Sequence, residues 1–361
     1  MLREADYMDR ALFLAERGRG RTSPNPLVGA VVVSDDGLAV GQGFHERAGE
    51  PHAEIRALDM ADRHAAGATL FCTLEPCSHI GRTGPCVRRI VDAGIRRVVA
   101  AIEDPNPAVR GRGFAFLRAH GVDVEVGLGG AAATRLNQPF LTMMRERRPF
   151  VVLKAATSID GCIAATPGKP TALTSSAANR HAHAFRAEVD AIAVGVGTIL
   201  ADDPQLTARG VYRERPLTRV VLDRRLRTPA RARLLSTRDA GPVIIVTTAA
   251  GAAQTGVRRS LEDRGAEIEV ASGQTLRAAL EALAPREIGL LLLEGGAAMH
   301  QAAWDEGLVD VVRLYVTPTA IGPDGVRFLD GRRFATSDLI DRHVEPLGPD
   351  VLIEGYVHMP H

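Results

Sequence analysis

Apolar residues in the first third of the chain form short runs that alternate with stretches of helical spacing. Strands are predicted at 28–33, 68–74, 97–102 and 122–126, and helices at 54–62 and 87–93. Turn-forming residues follow the first run, and Gly94 is placed to end the second helix. This alternation predicts an α/β layer in which at least some neighbouring strands run parallel.

The pattern restarts after a charged run at 145–149 that ends in Pro149. Beyond it, strands are predicted at 150–155, 191–194, 219–222, 243–246, 290–293 and 311–316, and helices at 175–187, 276–284 and 297–306. Near-continuous apolar strands are typical of a sheet covered on both faces. The sequence therefore predicts two α/β domains, which cover residues 1–145 and 149–361.

Length and composition agree with this division. A chain of 361 residues exceeds one typical domain, and 45% apolar with 24% charged residues describe an ordinary globular protein. The N-terminus lacks the apolar stretch of a signal peptide, and no run approaches the ~20 apolar residues of a membrane span, so we expect a cytoplasmic protein without membrane contact.

A net charge of +1 disfavours a nucleic-acid partner. Two of the four cysteines, Cys72 and Cys162, are predicted to be small buried side chains.

The strongest chemical signal is His52-Ala53-Glu54 followed by Cys77 and Cys86. One imidazole and two thiols suit a zinc site with three protein ligands, whose fourth position is left for a water of lowered pKa. A neighbouring carboxylate, here Glu54, can then carry protons between that water and a leaving group. This arrangement is the signature of zinc-dependent base deaminases, although eight residues rather than two separate the cysteines.

Alternatives remain open for this cluster. Each residue taken singly is an ordinary buried or surface side chain, and a structural zinc site with His79 as the fourth ligand would use the same set. Polar loops nearby favour a substrate site. The amide of Asn25 can pair with a heterocycle, and Arg82, in the loop between the cysteines, suits a phosphate.

The second half of the chain is less decisive by itself. It has no Gly-x-Gly-x-x-Gly sequence that opens a helix. Lys154 lies at a predicted strand end, and glycine-containing turns at 195–204 and 294–296 follow two other predicted strands. Such glycines let a backbone approach a phosphate closely. Taken alone, these segments are ordinary turns between strands and helices.

Together, the motifs resemble the bifunctional riboflavin-biosynthesis deaminase–reductase family. The resemblance is carried by residues 24–29, 52–54, 75–83, 104–107, 136–137 and 148–151. It implies a cytidine-deaminase-like three-layer α/β/α domain followed by a dihydrofolate-reductase-like α/β domain.

For the first domain the resemblance implies Zn²⁺ as a cofactor. The metal would be bound by His52, Cys77 and Cys86, and Glu54 would be the catalytic proton carrier. Substrate contacts would come from Asn25, His45, His79, Arg82, Asp104 and Asn106.

For the second domain the resemblance implies NADPH. Lys154 and Asp202 would position charge and protons around the carbon that accepts hydride. The substrate would contact Thr174, Arg186, Leu206, Arg209 and Glu294. The cofactor would contact Ala156, Ala172, Thr198, Asp202, Gly295 and Gly296. The family pattern is broken where Pro170 replaces a serine and Ala172 a tryptophan, and loss of the indole would weaken contact with the nicotinamide.

These implications define an expected activity. The enzyme would be a hydrolase and an oxidoreductase of riboflavin biosynthesis, which deaminates 2,5-diamino-6-ribosylamino-4(3H)-pyrimidinone 5′-phosphate and then reduces the ribosyl group to ribityl. Its partner would be this small phosphorylated pyrimidine, and the resemblance implies a homo-oligomer. Two alternatives remain: a deaminase of nucleotides or RNA, and a deaminase whose C-terminal domain serves only for binding or dimerisation.

Overall fold

A computed structural model describes residues 3–78, 84–107, 109–169, 171–329 and 334–359. It divides into two compact units, one ending at Glu146 and the other beginning at Arg147. The division falls inside the charged run at 145–149. No helix in the described ranges has both the length and the apolar character needed to cross a membrane.

The first unit alternates strands and helices along the chain. Its elements are α1 (Glu4–Glu16), β1 (Gly29–Val33), β2 (Ala39–Phe44), α2 (Ala53–Ala61), β3 (Thr69–Cys72), α3 (Cys86–Asp92), β4 (Arg97–Ala100), α4 (Arg112–Ala119), β5 (Asp123–Val126), α5 (Gly130–Leu136) and α6 (Gln138–Glu146). The four strands and two helices predicted here are all present, and no end differs from its predicted position by more than two residues. Gly94 has a φ of 73° just after α3, as expected of a helix-ending glycine.

The sheet of the first unit has the order β2-β1-β3-β4-β5. β3, β4 and β5 are parallel, whereas β1 is antiparallel to both of its neighbours. Alternate residues face opposite sides: Val31 and Val33 pack against α1 and α5, and Ala30 and Val32 pack against α2, α3 and α4. Helices thus cover both faces, which confirms the predicted three-layer α/β/α arrangement.

Two glycines of β2 allow α2 to lie directly on this strand. A Cβ atom on Gly41 would clash with the carbonyl oxygen of Ala57, and one on Gly43 would lie 2.6 Å from that of Ala53. Because α2 begins immediately after His52, this close packing fixes where His52 and Glu54 are placed relative to the sheet.

The second unit is longer and also alternates. Its elements are β6 (Phe150–Ser158), β7 (Cys162–Ala164), α7 (Ser176–Glu188), β8 (Ala191–Gly195), α8 (Val196–Asp202), β9 (Thr218–Leu222), α9 (Arg233–Ser236), β10 (Val243–Thr248), α10 (Ala249–Ala252), α11 (Thr255–Glu262), β11 (Ala266–Ala271), α12 (Leu276–Glu281), β12 (Leu290–Leu293), α13 (Ala297–Asp305), β13 (Val311–Thr317), β14 (Val326–Arg327), β15 (Ile340–Leu347) and β16 (Asp350–Tyr356). Every strand and helix predicted for this half is present.

Nine strands form one sheet in the order β11-β10-β9-β8-β12-β6-β13-β16-β15. The first seven run parallel, and β16 and β15 complete the sheet antiparallel. Val151 and Leu153 face α12 and α13, whereas Phe150 and Val152 face α8, α9 and α11. The sheet is therefore covered on both faces, as predicted, and the carboxyl ends of its parallel strands meet at one edge.

A buried ion pair fixes the start of β6. The guanidinium of Arg148 donates two hydrogen bonds to Asp310, at 2.7 and 2.8 Å, and both side chains are almost fully buried. Asp310 also accepts a bond from the amide N–H of Val151 at 2.7 Å. Asp310 directly precedes β13, so this pair holds two neighbouring strands in register.

A candidate metal centre and a candidate reductase cavity

Three potential metal ligands from distant parts of the chain meet in the first unit. His52 directly precedes α2, Cys77 follows β3, and Cys86 is the first residue of α3. The Nδ1 atom of His52 lies 3.2 Å from Sγ of Cys86 and 3.5 Å from Sγ of Cys77. The ligand atoms of the three residues all lie within 4.8 Å of one another.

This donor set fits a zinc ion. Zn–N and Zn–S bonds of about 2.1 and 2.3 Å around a tetrahedral ion require N···S separations of roughly 3.5 Å, close to those observed. Hydrogen bonds from Cys86 and His52 lower the pKa of Cys77 to about 4, which favours the thiolate that a metal needs. Within the described ranges no fourth histidine, cysteine or carboxylate joins the group.

A buried carboxylate accompanies the three ligands. Glu54 lies in the first turn of α2 with only 3% of its surface exposed. Its Oε2 atom has no hydrogen-bond partner among the described residues, and burial raises its pKa to about 7. A side chain of this kind can take up and release a proton near neutral pH.

Asn25 and His45 form a pair beside the metal ligands. The amide Nδ2 of Asn25 donates a hydrogen bond to Nε2 of His45 at 3.0 Å, and the His45 ring packs edge-on against that of His52 at 5.3 Å. The imidazole of His45 is nearly fully buried, and this burial lowers its pKa. Because the bond uses one of the two N–H donors of Nδ2, the other N–H and the amide oxygen of Asn25 could still pair with a substrate.

A second buried carboxylate, Glu75, was not recognised in the sequence. It accepts four backbone N–H bonds, at 2.8 to 3.3 Å, from Asp104, Gly111, Gly113 and Phe114. Glu75 lies two residues before Cys77 and thus ties the metal-ligand segment to the loop that carries Asp104. The only sign of this role in the sequence was the position of Glu75, a charged residue directly after the predicted apolar strand at 68–74.

The other substrate residues expected in the first unit divide into two groups. Asp104 is 7% exposed, and its carboxylate accepts a bond from the amide N–H of Asn106 at 2.8 Å. Burial, with a smaller contribution from the charge of Glu75, raises the pKa of Asp104 to about 6. His79 and Arg82 lie outside the described residues.

In the second unit a cavity of about 1610 Å³ opens at the carboxyl ends of the parallel strands. Most of the residues expected to bind substrate or cofactor line it, namely Lys154, Ala156, Arg186, Thr198, Asp202, Leu206, Glu294, Gly295 and Gly296. Within the described part of the chain, Ala172, Thr174 and Arg209 are not part of its wall. Pro170 lies outside the described residues.

A charge network occupies one end of this cavity. Arg186 donates two hydrogen bonds to the carboxylate of Glu294, at 2.7 and 3.0 Å, and Nζ of Lys154 lies 3.9 Å from the same group. Burial alone would raise the pKa of Glu294, but the charges of Lys154 and Arg186 outweigh it and hold this pKa at about 2. Glu294 is therefore ionised near neutral pH and keeps a cation on either side.

Other polar side chains in this wall were not predicted as site residues from the sequence. His300 on α13 is 1% exposed, and burial lowers its pKa to about 4, so its ring is neutral. Arg224, Arg225 and Arg227 follow β9 and line the cavity away from Lys154. A basic cluster directly after a predicted strand was visible in the sequence but was not interpreted.

A His-Cys-Cys group with a buried glutamate, in a three-layer α/β/α unit, defines a zinc-dependent deaminase class. A basic-lined cavity at the strand ends of a parallel sheet defines a reductase-type second unit. The cytidine and deoxycytidylate deaminase zinc-binding region matches residues 1–102, and the RibD C-terminal domain matches residues 149–353. The chain belongs to the RibD family of riboflavin biosynthesis proteins.

Individual relatives span the whole chain. The riboflavin biosynthesis protein RibD of Aquifex aeolicus is 40% identical over 98% of this chain and 99% of its own length. A structure of Acinetobacter baumannii RibD is similar with a TM-score of 0.85 and 36% identity over 98% of both chains. A Thermotoga maritima structure, described as a diaminohydroxyphosphoribosylaminopyrimidine deaminase/5-amino-6-(5-phosphoribosylamino)uracil reductase, has a TM-score of 0.82 and 33% identity over 98% of both chains.

These findings confirm the main interpretations of the sequence. The family, the fold class and the combination of a zinc-dependent deaminase with a reductase are as predicted. Zn²⁺ and NADPH are the cofactors of these two activities.

Proposed function

We propose that this chain catalyses two consecutive steps on one phosphorylated pyrimidine. The first is hydrolytic deamination of 2,5-diamino-6-ribosylamino-4(3H)-pyrimidinone 5′-phosphate, and the second is reduction of its ribosyl group to ribityl. The observation that carries the proposal is the convergence of His52, Cys77 and Cys86 around one point, with Glu54 buried beside them. The similar Thermotoga maritima protein, described as a deaminase and a reductase, supports the same pair of reactions.

In the first step a zinc ion held by His52, Cys77 and Cys86 would supply a water of lowered pKa as the nucleophile. Glu54 would accept a proton from that water at Oε2 and donate it to a ring nitrogen. It would then accept the second proton, from the hydroxyl group now bound to C2, and pass it to the departing amino group. A C–O bond forms at C2, the C–N bond breaks, and ammonia leaves. Asn25 would pair with the pyrimidine edge, and Asp104 and Asn106 would bind the substrate from the adjoining loop.

In the second step NADPH would supply the hydride. The anomeric carbon would accept that hydride while its bond to the ring oxygen breaks, and the ring oxygen would take up a proton. Lys154 and Asp202 would position charge and protons there, and the Arg186–Glu294 pair would fix the orientation of Lys154 and contact the substrate. Gly295 and Gly296 would leave room for the cofactor backbone.

We assign residues 1–145 to the deaminase and 149–361 to the reductase. The partner is the small phosphorylated pyrimidine, without nucleic acid or membrane, and the family resemblance supports a cytoplasmic homo-oligomer.

Product analysis tests the proposal. The chain is incubated with the diaminopyrimidinone phosphate, with and without NADPH, and the products are identified by mass spectrometry. We expect ammonia and the deaminated ribosylamino compound without NADPH, and the ribitylamino product with it. Ammonia release without any NADPH oxidation would favour the alternative of a deaminase with a binding or dimerisation module.

A further inference from the structure

We propose that Tyr315 is a positioning residue for Lys154 in the second unit, and that His181 holds the ring of Tyr315 in place for this purpose. Tyr315 is fully buried and is not among the described residues of the cavity wall, so it acts through Lys154 rather than on substrate or cofactor. The inference rests on the proposed reductase function, in which Lys154 places positive charge beside the carbon that accepts hydride.

The register of two neighbouring strands brings Lys154 and Tyr315 to the same face of the sheet. β13 runs parallel to β6, with Arg313 opposite Lys154 and Tyr315 opposite Ala156. Residues two positions apart on a strand share a face, so these four side chains lie together. Nζ of Lys154 lies 5.5 Å from the centroid of the Tyr315 ring. A cation within about 6 Å of a ring centroid is attracted by the negative face of the ring.

The ring contact holds the ammonium group without using any of its donors. Glu294 is the carboxylate beside Lys154, but both of its oxygens accept bonds from Arg186, and Nζ of Lys154 stays 3.9 Å away. Within the described part of the chain, Nζ makes no hydrogen bond. One charge contact and one ring contact therefore fix the ammonium group, and its three N–H donors remain for the substrate.

The other cation on this face is engaged elsewhere. The guanidinium of Arg313 forms an ion pair with Glu354 on β16 and stacks on the ring of Phe185 at 3.7 Å. These contacts hold the charge of Arg313 on the side of β16. The face of the Tyr315 ring is therefore left to Lys154, although Arg313 is its direct neighbour across the two strands.

His181 on α7 fixes the far end of the Tyr315 ring. Oη of Tyr315 lies 3.0 Å from Nδ1 of His181, whose Nε2 lies 3.7 Å from the carboxylate of Glu345. Burial lowers the pKa of His181, so its ring is neutral near neutral pH. A carboxylate only accepts, which favours the ring proton on Nε2 and makes Nδ1 the acceptor of the Tyr315 hydroxyl. Ala178 and Ala182 of α7 pack against the same ring.

An aromatic face suits this position better than a second carboxylate would. A carboxylate within hydrogen-bond distance would take up N–H donors of Lys154 and neutralise its charge, whereas a ring attracts the cation and leaves the charge in place. The attraction is strongest where water is excluded, and the side chain of Lys154 is only 18% exposed. The structure thus provides Lys154 with a fixed place and an undiminished charge.

Two substitutions that both remove the hydroxyl separate the ring from the hydrogen bond. We expect Tyr315→Phe to lower kcat for NADPH oxidation with the deaminated intermediate by less than about threefold, and Tyr315→Met, which fills the space without a ring, by about tenfold. The Kd of NADPH should stay within about twofold in both. Tyr356→Phe and Tyr356→Met are the matched controls on the same sheet, where the ring packs against Phe150, and should give equal rates.

The hydrogen bond to His181 has its own test. His181→Ala should lower kcat as much as Tyr315→Phe does, and the double variant should lower it no further, because both changes break the same bond. Additive effects would mean that His181 does not act through Tyr315.

Fluorinated phenylalanines at position 315 provide a measure that does not depend on a stable Tyr315→Met variant. Each fluorine withdraws electron density from the ring face with little change of shape, so kcat should fall stepwise from one to three fluorine atoms. Calorimetric titration with the deaminated intermediate should show its Kd rising along the same series in the unmodified background and staying constant in Lys154→Ala. A flat series, or the same series in both backgrounds, would overturn the inference alone. Absence of NADPH oxidation by the unmodified chain would overturn the reductase function and this inference with it.

Discussion

The first unit contains two glutamates that are almost fully buried but differ in their hydrogen bonding. Glu75 shares its two oxygens among four backbone N–H groups, so its negative charge is satisfied by the fold. Glu54 has one oxygen without a partner among the described residues, and burial raises its pKa to about 7. The first carboxylate therefore organises backbone, and the second is free for proton transfer.

Replacement of the free carboxylate should separate chemistry from metal binding. We expect Glu54→Gln to lower the rate of ammonia release by about 100-fold or more, because the amide cannot carry the proton. Zinc content, measured by atomic absorption, and Tm should stay close to those of the unmodified chain, since the side chain keeps its shape. An unchanged deamination rate would remove Glu54 from the mechanism.

Replacement of the organising carboxylate should act first on stability. Glu75→Gln exchanges one acceptor oxygen for an NH₂ donor that faces backbone N–H groups, so we expect the free energy of unfolding to fall by about 2–3 kcal/mol. Urea denaturation measures the change. Glu103→Gln, which alters an exposed carboxylate paired with Arg110, is the matched control and should cost less than about 1 kcal/mol. Equal effects would contradict an organising role for Glu75.

Glu294 gives the second unit a dependence on acid pH. The pKa of Glu294 in the folded protein is about 2, below its ordinary value of 4.5. The ionised carboxylate therefore contributes its full stabilisation of the folded state above pH 4.5 and loses it as the pH falls towards 2. We expect the difference in unfolding free energy between the unmodified chain and Glu294→Gln to shrink by about 3 kcal/mol over this window. Urea titrations at several pH values measure it, and Glu262→Gln, in an exposed pair with Arg258, should give a flat profile.

How far a residue's role could be predicted depends on where its partners come from. The metal ligands and Glu54 were predicted because their spacing along the chain itself carries the chemistry. Glu75 could not be predicted, since its role lies in four N–H groups contributed by residues 104–114, whose proximity only the fold creates. His300 was missed for the same reason, because its burial depends on the packing of α13.

At the scale of elements, α2 depends on the glycines of the strand beneath it. We expect Gly41→Ala to push α2 away from β2, because its Cβ would clash with the backbone of Ala57. Zinc affinity and ammonia release should both fall, while NADPH oxidation with the deaminated intermediate stays unchanged. Gly84→Ala is the control, since a Cβ at that position meets no atom of the described residues within 4 Å. Unaltered zinc affinity in Gly41→Ala would show that α2 tolerates the shift.

The strands that were predicted differ physically from those that were not. Strands buried on both faces, such as β1, β8 and β12, are continuous apolar runs and were found from the sequence. β2 was missed because its glycines, needed for contact with α2, weaken the apolar pattern. β15 was missed because it is the last strand of the sheet, and most of its side chains are exposed and polar. The apolar pattern therefore predicts the centre of each sheet better than its edges.

Across the whole molecule, the two sets of chemical groups belong to different units. The His-Cys-Cys group and Glu54 belong to the unit that ends at Glu146, and the described residues of the cavity wall belong to the unit that begins at Arg147. Each unit also has its own sheet and its own apolar core on both faces of that sheet. The groups assigned to one reaction thus belong to a different unit from those assigned to the other.

Metal removal should therefore abolish one activity and spare the other. We expect dialysis against a zinc chelator to stop ammonia release and to leave NADPH oxidation with the deaminated intermediate within about twofold, because no described wall residue of the cavity belongs to the metal group. Added Zn²⁺ should restore deamination. Cys77→Ser should reproduce the effect of the chelator without it, whereas Cys162→Ser, at a buried cysteine of the second unit, should leave zinc content and ammonia release intact. A parallel loss of both activities on chelation would mean that the metal supports the second unit as well, and the two reactions could no longer be assigned to separate units.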